Sequence, residues 1–159
     1  MISALLRESG EGIAAILRNC REMADFKKLR VWKKAHALAL CAHQAALTIR
    51  GSQHASLRSQ IIRASMSIPA NIVEGREQKS EAEFGRFLRY ALGSTSELEY
   101  HLIIARDIKV IDSAHFVGVV TPLREVRMML YGLLKRLDSR NDGDGERVAG
   151  SGQPSAGSR

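Results

Sequence analysis

Between Phe26 and Leu137 the apolar residues recur at steps of three and four, and nowhere do they alternate long enough to suggest a sheet. The pattern predicts an all-α chain. Its last segment is the most regular: Phe116, Val119, Leu123, Val126, Leu130, Leu133 and Leu137 form a heptad seam. Asp112 or Ser113 can cap this helix, and Pro122 allows a bend in its first turns or a start at Thr121-Pro122. The segment before it opens at Ser80 with Glu83 three residues on, a capping-box spacing. Phe84, Phe87, Ala91, Thr95, Leu98, Leu102 and Ala105 continue it towards Lys109, about 45 Å at 1.5 Å per residue.

Two further helices are predicted upstream. Residues 29–50 place Trp32, Ala35, Ala39, Ala42, Ala46 and Ile49 on one side, and residues 54–76 do the same with Leu57, Ile61, Ala64, Ile68 and Ile72, ending at Gly75. Four amphipathic helices with short connections predict an antiparallel up-down-up-down four-helix bundle over residues 25–138. The second helix carries Pro69, which costs roughly 3 kcal/mol in a helix interior and frees the carbonyl four residues earlier, that of Ser65. Small residues gather around it (Ala64, Ser65, Ser67, Ala70, Asn71) and in the third helix (Ala91, Gly93, Ser94, Ser96). A proline bend, a close approach of these two helices, and a hydroxyl from Ser94 or Ser96 to the Ser65 carbonyl are the expectations.

Outside the bundle the composition changes. Residues 139–159 are dominated by Ser, Asn, Asp, Gly, Arg and Pro, with Val148 as the one branched apolar side chain, and are expected to form a disordered tail. Residues 1–24 hold a short amphipathic stretch, Ile13 to Leu17, behind a Gly10-Glu11-Gly12 breaker, and are read as an N-terminal extension. The net charge is +7, and the tail's three acids and three bases cancel, so all of it belongs to residues 1–138. Such a balance favours anionic partners.

Cys20 and Cys41 are too few for a disulfide framework and match no metal spacing. No apolar run reaches the roughly 18 residues of a membrane span, and no signal peptide is evident, so a cytoplasmic protein is expected.

Three blocks carry a resemblance: Leu29-Arg30-Val31-Trp32-Lys33-Lys34-Ala35-His36-Ala37-Leu38; Ser59 to Gly75 with its centre Ser65-Met66-Ser67-Ile68-Pro69-Ala70-Asn71-Ile72-Val73-Glu74-Gly75; and Phe87 to Glu99 with Ala91-Leu92-Gly93-Ser94. Over residues 26–137 the chain resembles the bacterial four-helix-bundle family named for proteins encoded in 23S ribosomal RNA intervening sequences. The resemblance implies a left-handed antiparallel bundle, a homopentamer with a central channel and a basic surface. Related bundles are accessory proteins of diversity-generating retroelements, partners of a reverse transcriptase and its RNA. It implies no known enzymatic activity. Arg50 to Ser56 depart from the usual first connection, in place of the proline and acidic residues often found there.

The chemistry of the residues points the same way. A di-iron bundle needs Glu-x-x-His, but Glu97 is followed at that spacing by Tyr100 and Glu99 by Leu102. His36 and His43 share a face without an acid beside them; no metal, cofactor or catalytic residue is predicted. Trp32, Arg63, Ser67, Pro69, Asn71, Glu74, Gly75, Arg89, Gly93, Ser94 and Glu97 are assigned structural roles, with the charged ones pairing across helices or subunits. Ile62, Met66, Val73, Leu92 and Ile103 are the candidate oligomer contacts. Lys27, Lys28, Arg30, Lys33 and Lys34, with Arg124, Arg127, Lys135 and Arg136, are the candidate nucleic-acid contacts, repeated around an oligomer for avidity. Few aromatics are expected on the surface, so binding should follow the phosphate backbone. The expected function is a noncatalytic, homo-oligomeric bundle that binds RNA or an RNA–protein complex. The alternative is a scaffold for a reverse transcriptase or other mobile-element enzyme, and a weaker third is an enzyme or metal carrier.

Overall fold

The computed structural model describes residues 26–149, and the side chains of residues 26–140. Four helices account for most of it: α1 Arg30–Thr48, α2 Ala55–Arg76, α3 Glu81–Asp107 and α4 Ser113–Ala149. Single 3-10 turns, Phe26–Lys28 and Ser52–His54, precede α1 and α2. Among the described residues there is no strand. Each helix packs on two others, α1 on α2, α2 on α3, α3 on α4 and α4 back on α1, which closes a bundle. Pairs such as Arg89–Asp138 and Arg127–Glu99, or Lys34–Glu125 and Cys41–Gly118, fall in number on one helix as they rise on the other, so these neighbours run antiparallel.

The predicted seams are the core, widened by one position. Ile61, Ala64, Ile68 and Ile72 of α2 are buried as expected, and so are Leu98, Leu102, Leu123, Val126 and Leu130. Val31, Leu38, Ala45, Leu88 and Leu134 join them, outside the seams read from the sequence but on neighbouring registers of the same spacing. A straight helix of 3.6 residues per turn in a globular bundle buries a stripe about 100° wide, broader than an a/d seam. Trp32, Phe87, Phe116 and Leu133 are half-buried at its margin.

Helix ends show which local signals operate. Ser80 caps α3 by accepting from the Glu83 amide at 3.1 Å. The Glu83 carboxylate pairs with Arg86 at 2.7 Å, so the capping box is seen in one direction only. Asp112 is the cap of α4: its Oδ1 accepts from the His115 amide at 2.8 Å, and Ser113 is already helical. α3 ends in a Schellman turn, with Val110 N donating to Ala105 O and Lys109 N to Arg106 O, and places Lys109 at φ 59° where glycine is usual. Gly51, at φ 91°, turns the chain between α1 and α2. Arg58 fastens that turn by donating to the carbonyls of Ile49 at 3.0 Å and Gly51 at 2.9 Å.

Several expectations need correction. α2 runs on to Arg76, and Gly75 is a buried close approach: a Cβ there would stand 2.6 Å from Phe87 Cβ. Gly93 lies exposed, with nothing within 4 Å of where its Cβ would be, so it does not bring helices together within the chain. The Ser65 carbonyl receives neither predicted hydroxyl, since Ser94 Oγ bonds Ser67 Oγ and the Tyr90 carbonyl, and Ser96 Oγ reaches only the Leu92 carbonyl at 3.5 Å. Pro69 lies inside α2, which continues past it to Arg76. Helical backbone continues to Ala149, past the change of composition at 139 where the tail was expected; once a helix is under way each added residue gains a hydrogen bond, and Arg140 pairs with Glu81 at 3.1 Å. Residues 1–25 and 150–159 lie outside the described residues, with them the whole of the expected extension and about half of the expected tail.

Candidate nucleic-acid interface

α1 begins in an unusual electrostatic state. Its first turn holds Arg30 and Lys33, no acidic residue lies there, and Leu29 at the cap position supplies no side-chain acceptor. The free amides at a helix start carry roughly half a positive charge, which most helices balance with an acid or a capping oxygen. Here cations are stacked on it instead, and that raises the local positive potential. Lys28 lies just ahead and Lys34 just after, both exposed.

α4 lies alongside this end and leaves a groove. Two adjoining cavities of about 510 and 550 Å³ share Arg30, Met128 and Met129. Lys34, Thr121, Arg124 and Glu125 line the first, and Lys28, Leu29, Val31, Gly132, Leu133 and Arg136 the second. Half-buried Met129 lies in the floor, exposed Met128 stands at its edge, and the rim is cationic. Glu125 is the one acid among the lining residues, and Lys34 pairs with it at 2.7 Å. Lys28, Arg30, Arg124 and Arg136 have no ion-pair partner among the described residues.

The nine predicted basic contacts divide accordingly. Lys28, Arg30, Lys34, Arg124 and Arg136 come together on the groove. Lys33 is exposed on α1 outside the lining set, Lys135 is exposed on α4, and Lys27 stands 5.9 Å from the Phe26 ring centroid in the 3-10 turn. Arg127 is not a surface contact. Its guanidinium bonds Glu99 at 2.7 Å, Thr95 Oγ1 at 3.1 Å and the Thr95 carbonyl at 3.1 Å, with the Arg127 and Glu99 side chains each 23% exposed, so it ties α4 to α3. Nothing in its sequence neighbourhood separates it from Arg124; the signal is Thr95 and Glu99, four apart on a facing helix.

The structural assignments also divide. Ser67, Asn71 and Ser94 form one network across α2 and α3: Asn71 Nδ2 donates to the Ser67 carbonyl at 2.8 Å and to its hydroxyl at 3.1 Å, and the Ser67 and Ser94 hydroxyls bond at 3.0 Å. Arg89 pairs with Asp138 of α4 at 3.0 Å, and Glu97 approaches His101 at 3.7 Å, one turn on. Arg63 and the Glu74 carboxylate are exposed with no partner among the described residues. Trp32 packs edge-on to Phe26 and flat against His36, centroids 4.9 and 5.2 Å apart.

Of the candidate oligomer contacts, Met66 is 57% exposed, while Ile62, Val73, Leu92 and Ile103 are half-buried, with Ile62 and Leu92 packed on the core. Leu40 and Leu47, seven apart on α1, are 55% and 64% exposed and were not singled out from sequence. The aromatic expectation is corrected more sharply. Tyr90, Tyr100 and Tyr131 are each more than half exposed. Their helical spacing resembles that of core residues, but each falls outside the stripe that the bundle buries.

Cys41 Sγ lies 3.5 Å from the Gly118 carbonyl, the acceptor that Pro122 leaves without its amide. Among the described residues no group of three or more His, Cys, Asp or Glu side chains is placed to hold a metal, and no helix is long and apolar enough to cross a membrane.

A family model described as 23S rRNA-intervening sequence protein matches residues 27–132, the whole of the bundle up to the middle of α4. The crystal structure of a protein with unknown function from the S23 ribosomal protein family of Bacteroides thetaiotaomicron VPI-5482, at 1.70 Å resolution, is similar to this chain with a TM-score of 0.62 and 25% identity, over 66% of this chain and 98% of that one. No curated protein matches.

Proposed function

The chain belongs to the 23S rRNA-intervening sequence protein family, and from that premise we propose that it is a noncatalytic RNA-binding bundle whose α1–α4 groove receives the phosphate backbone. The observation that supports this most directly is the uncapped, acid-free start of α1 with Arg30 and Lys33 in its first turn, facing a groove rimmed by Lys28, Arg124 and Arg136. Free helix amides and unpaired cations together favour an anion. A polyanion gains most, because each phosphate neutralised releases condensed counterions. The family's association with ribosomal RNA intervening sequences makes RNA the polyanion of choice.

Self-association is part of the reading. Leu40 and Leu47 on α1, and Met66 with Ile62 and Val73 on α2, leave apolar surface on two helices that pack together as a hairpin. Burying it in a ring, of five copies in this reading, would repeat the groove around the assembly and convert weak contacts into avidity. Light scattering should give a multiple of 17.5 kDa; the monomer mass at micromolar concentration would remove the ring.

The binding test is anisotropy of labelled RNA at rising salt. Six to ten phosphate contacts predict a loss of about 10³ to 10⁵ in affinity from about 50 to about 200 mM salt. Arg30→Glu, Arg124→Glu and Arg136→Glu together should abolish binding with stability changed by less than about 0.5 kcal/mol per site. Undetectable or salt-insensitive binding would overturn the proposal. If the protein instead retains a nuclease-resistant protein partner and no RNA, the scaffold reading replaces it.

A further inference from the structure

We propose that α4 carries a stacking platform for single-stranded RNA, in which Tyr131 receives a base and Arg124 and Lys135 receive the phosphates on either side of it. This rests on the RNA reading above and adds to it a strand type. Arg124, Met128, Tyr131 and Lys135 are spaced by four, three and four, so they form one stripe along α4, with Arg124 about 10 Å and Lys135 about 6 Å from Tyr131 along the axis. All four are exposed, Met128 at 71% and Tyr131 at 57%. The stripe borders the groove: Arg124 and Met128 belong to its lining.

Tyr131 is set apart from the other exposed tyrosines by having an uncommitted ring. Tyr90 meets Phe87 edge-on at 5.7 Å, and Tyr100 lies 5.6 Å from His101. Among the described residues Tyr131 has no ring partner, no cation over its face and no hydrogen bond to its hydroxyl. Half-exposing a large ring without a partner contributes little to the fold. The next residue, Gly132, has nothing within 4 Å of where a Cβ would be, yet lines the groove. A glycine inside a helix costs roughly 1 kcal/mol against alanine, and no packing within the chain accounts for it here. Its missing side chain opens the way for a sugar–phosphate backbone to pass from the groove to the ring.

The chemistry selects one strand rather than two. Every base offers a π-face, and a base stacked on an aromatic contributes substantially to single-strand binding. In a duplex those faces are already covered by neighbouring pairs, and only the phosphates are available to Arg124 and Lys135. An acidic peptide would satisfy the cations but would leave the tyrosine without a flat partner.

The experiment compares a single-stranded oligouridylate of about 12 nucleotides, whose bases stack little on one another, with a duplex RNA of equal length, using the full chain. Tyr131→Ala should weaken single-strand binding about five-fold or more and leave duplex binding and the salt slope unchanged. Tyr131→Phe should keep single-strand affinity, and Tyr90→Ala should change neither. Arg124→Ala should instead lower the single-strand salt slope by about 0.7. An unchanged affinity of Tyr131→Ala for the single strand, with wild-type binding still salt-dependent, would overturn the platform and leave the groove standing. Equal losses on both RNAs, or a fall in assembly mass by light scattering, would also overturn it. Absence of any binding by the wild type would overturn both proposals.

Discussion

The α2–α3 and α1–α4 seams join pairs of antiparallel helices in the same bundle, yet they are built to opposite ends. Across α2–α3 the backbones come so close that Gly75 has no room for a methyl group beside Phe87, and a hydroxyl–amide network from Asn71 through Ser67 to Ser94 crosses the contact. Along α1–α4 the surface instead carries two open clefts of about 510 and 550 Å³ with a cationic rim. Small residues close the first seam. Long cations and methionines line the second, and among the described residues Lys34 alone of those cations has an acid, Glu125, beside it. A bundle with one tight seam opposite one open seam can hold its shape while presenting a surface that would be destabilising if it had to hold the fold.

The largest test of this contrast is Gly75→Ala. Its added carbon meets Phe87 Cβ, which is fixed to the α3 backbone, so the helices must separate, at a cost of about 3 kcal/mol. Urea denaturation should show it; unchanged stability would mean that the seam is not tight. Next is Arg127→Met, which keeps the stem but leaves Glu99 half-buried without its cation. A loss of about 2 kcal/mol is expected, in the range for hydrogen bonds to charged groups. A neutral result would return Arg127 to the class of surface cations.

On the open side, Gly132→Ala should have the opposite sign to Gly75→Ala. Nothing obstructs the added methyl, and alanine gains about 1 kcal/mol in a helix interior. A destabilised Gly132→Ala would show that the two seams are equally filled. The smallest effect lies at the start of α4. The Asp112 carboxyl is held below the usual carboxylate range, first because the His115 amide donates to it and then because the His115 ring does. With the folded pKa below the unfolded one, the cap contributes above the unfolded value and is lost as pH falls through the folded one. NMR titration of Asp112 should find its midpoint below 3.8, and Asp112→Ala should remove the extra fraying of α4 on acidification.

Much of the fold was legible because apolar periodicity is set by the same burial that builds the core. Ile61, Ile68, Leu98, Leu123 and Leu130 were readable on spacing alone. Leu38 and Leu134 were not, because the buried stripe takes in two neighbouring registers and the seams anchored on Trp32 and Leu133 follow only one of them. The site was less legible, for a reason of range. Whether a cation is free depends on an acid far along the chain: Arg127 meets Glu99 from 28 residues away and Arg124 meets none. Composition cannot separate them. Likewise Tyr131 resembles a core aromatic until its angle around α4 is known, and Gly93 resembles a packing glycine until the facing surface is found empty.

Arg58 holds carbonyls only nine and seven residues behind it, whereas the α1–α4 seam is joined by Lys34 to Glu125, 91 residues apart. Closing a loop ten times longer costs about 2 kcal/mol more in chain entropy. The contacts that fix the turn between α1 and α2 are therefore local, while the groove joins parts of the chain that are far apart in sequence. Its two walls are the first and last helices of the bundle, so an occupant that spans them acts as a clasp, adding its binding free energy to the seam with the longest loop to close.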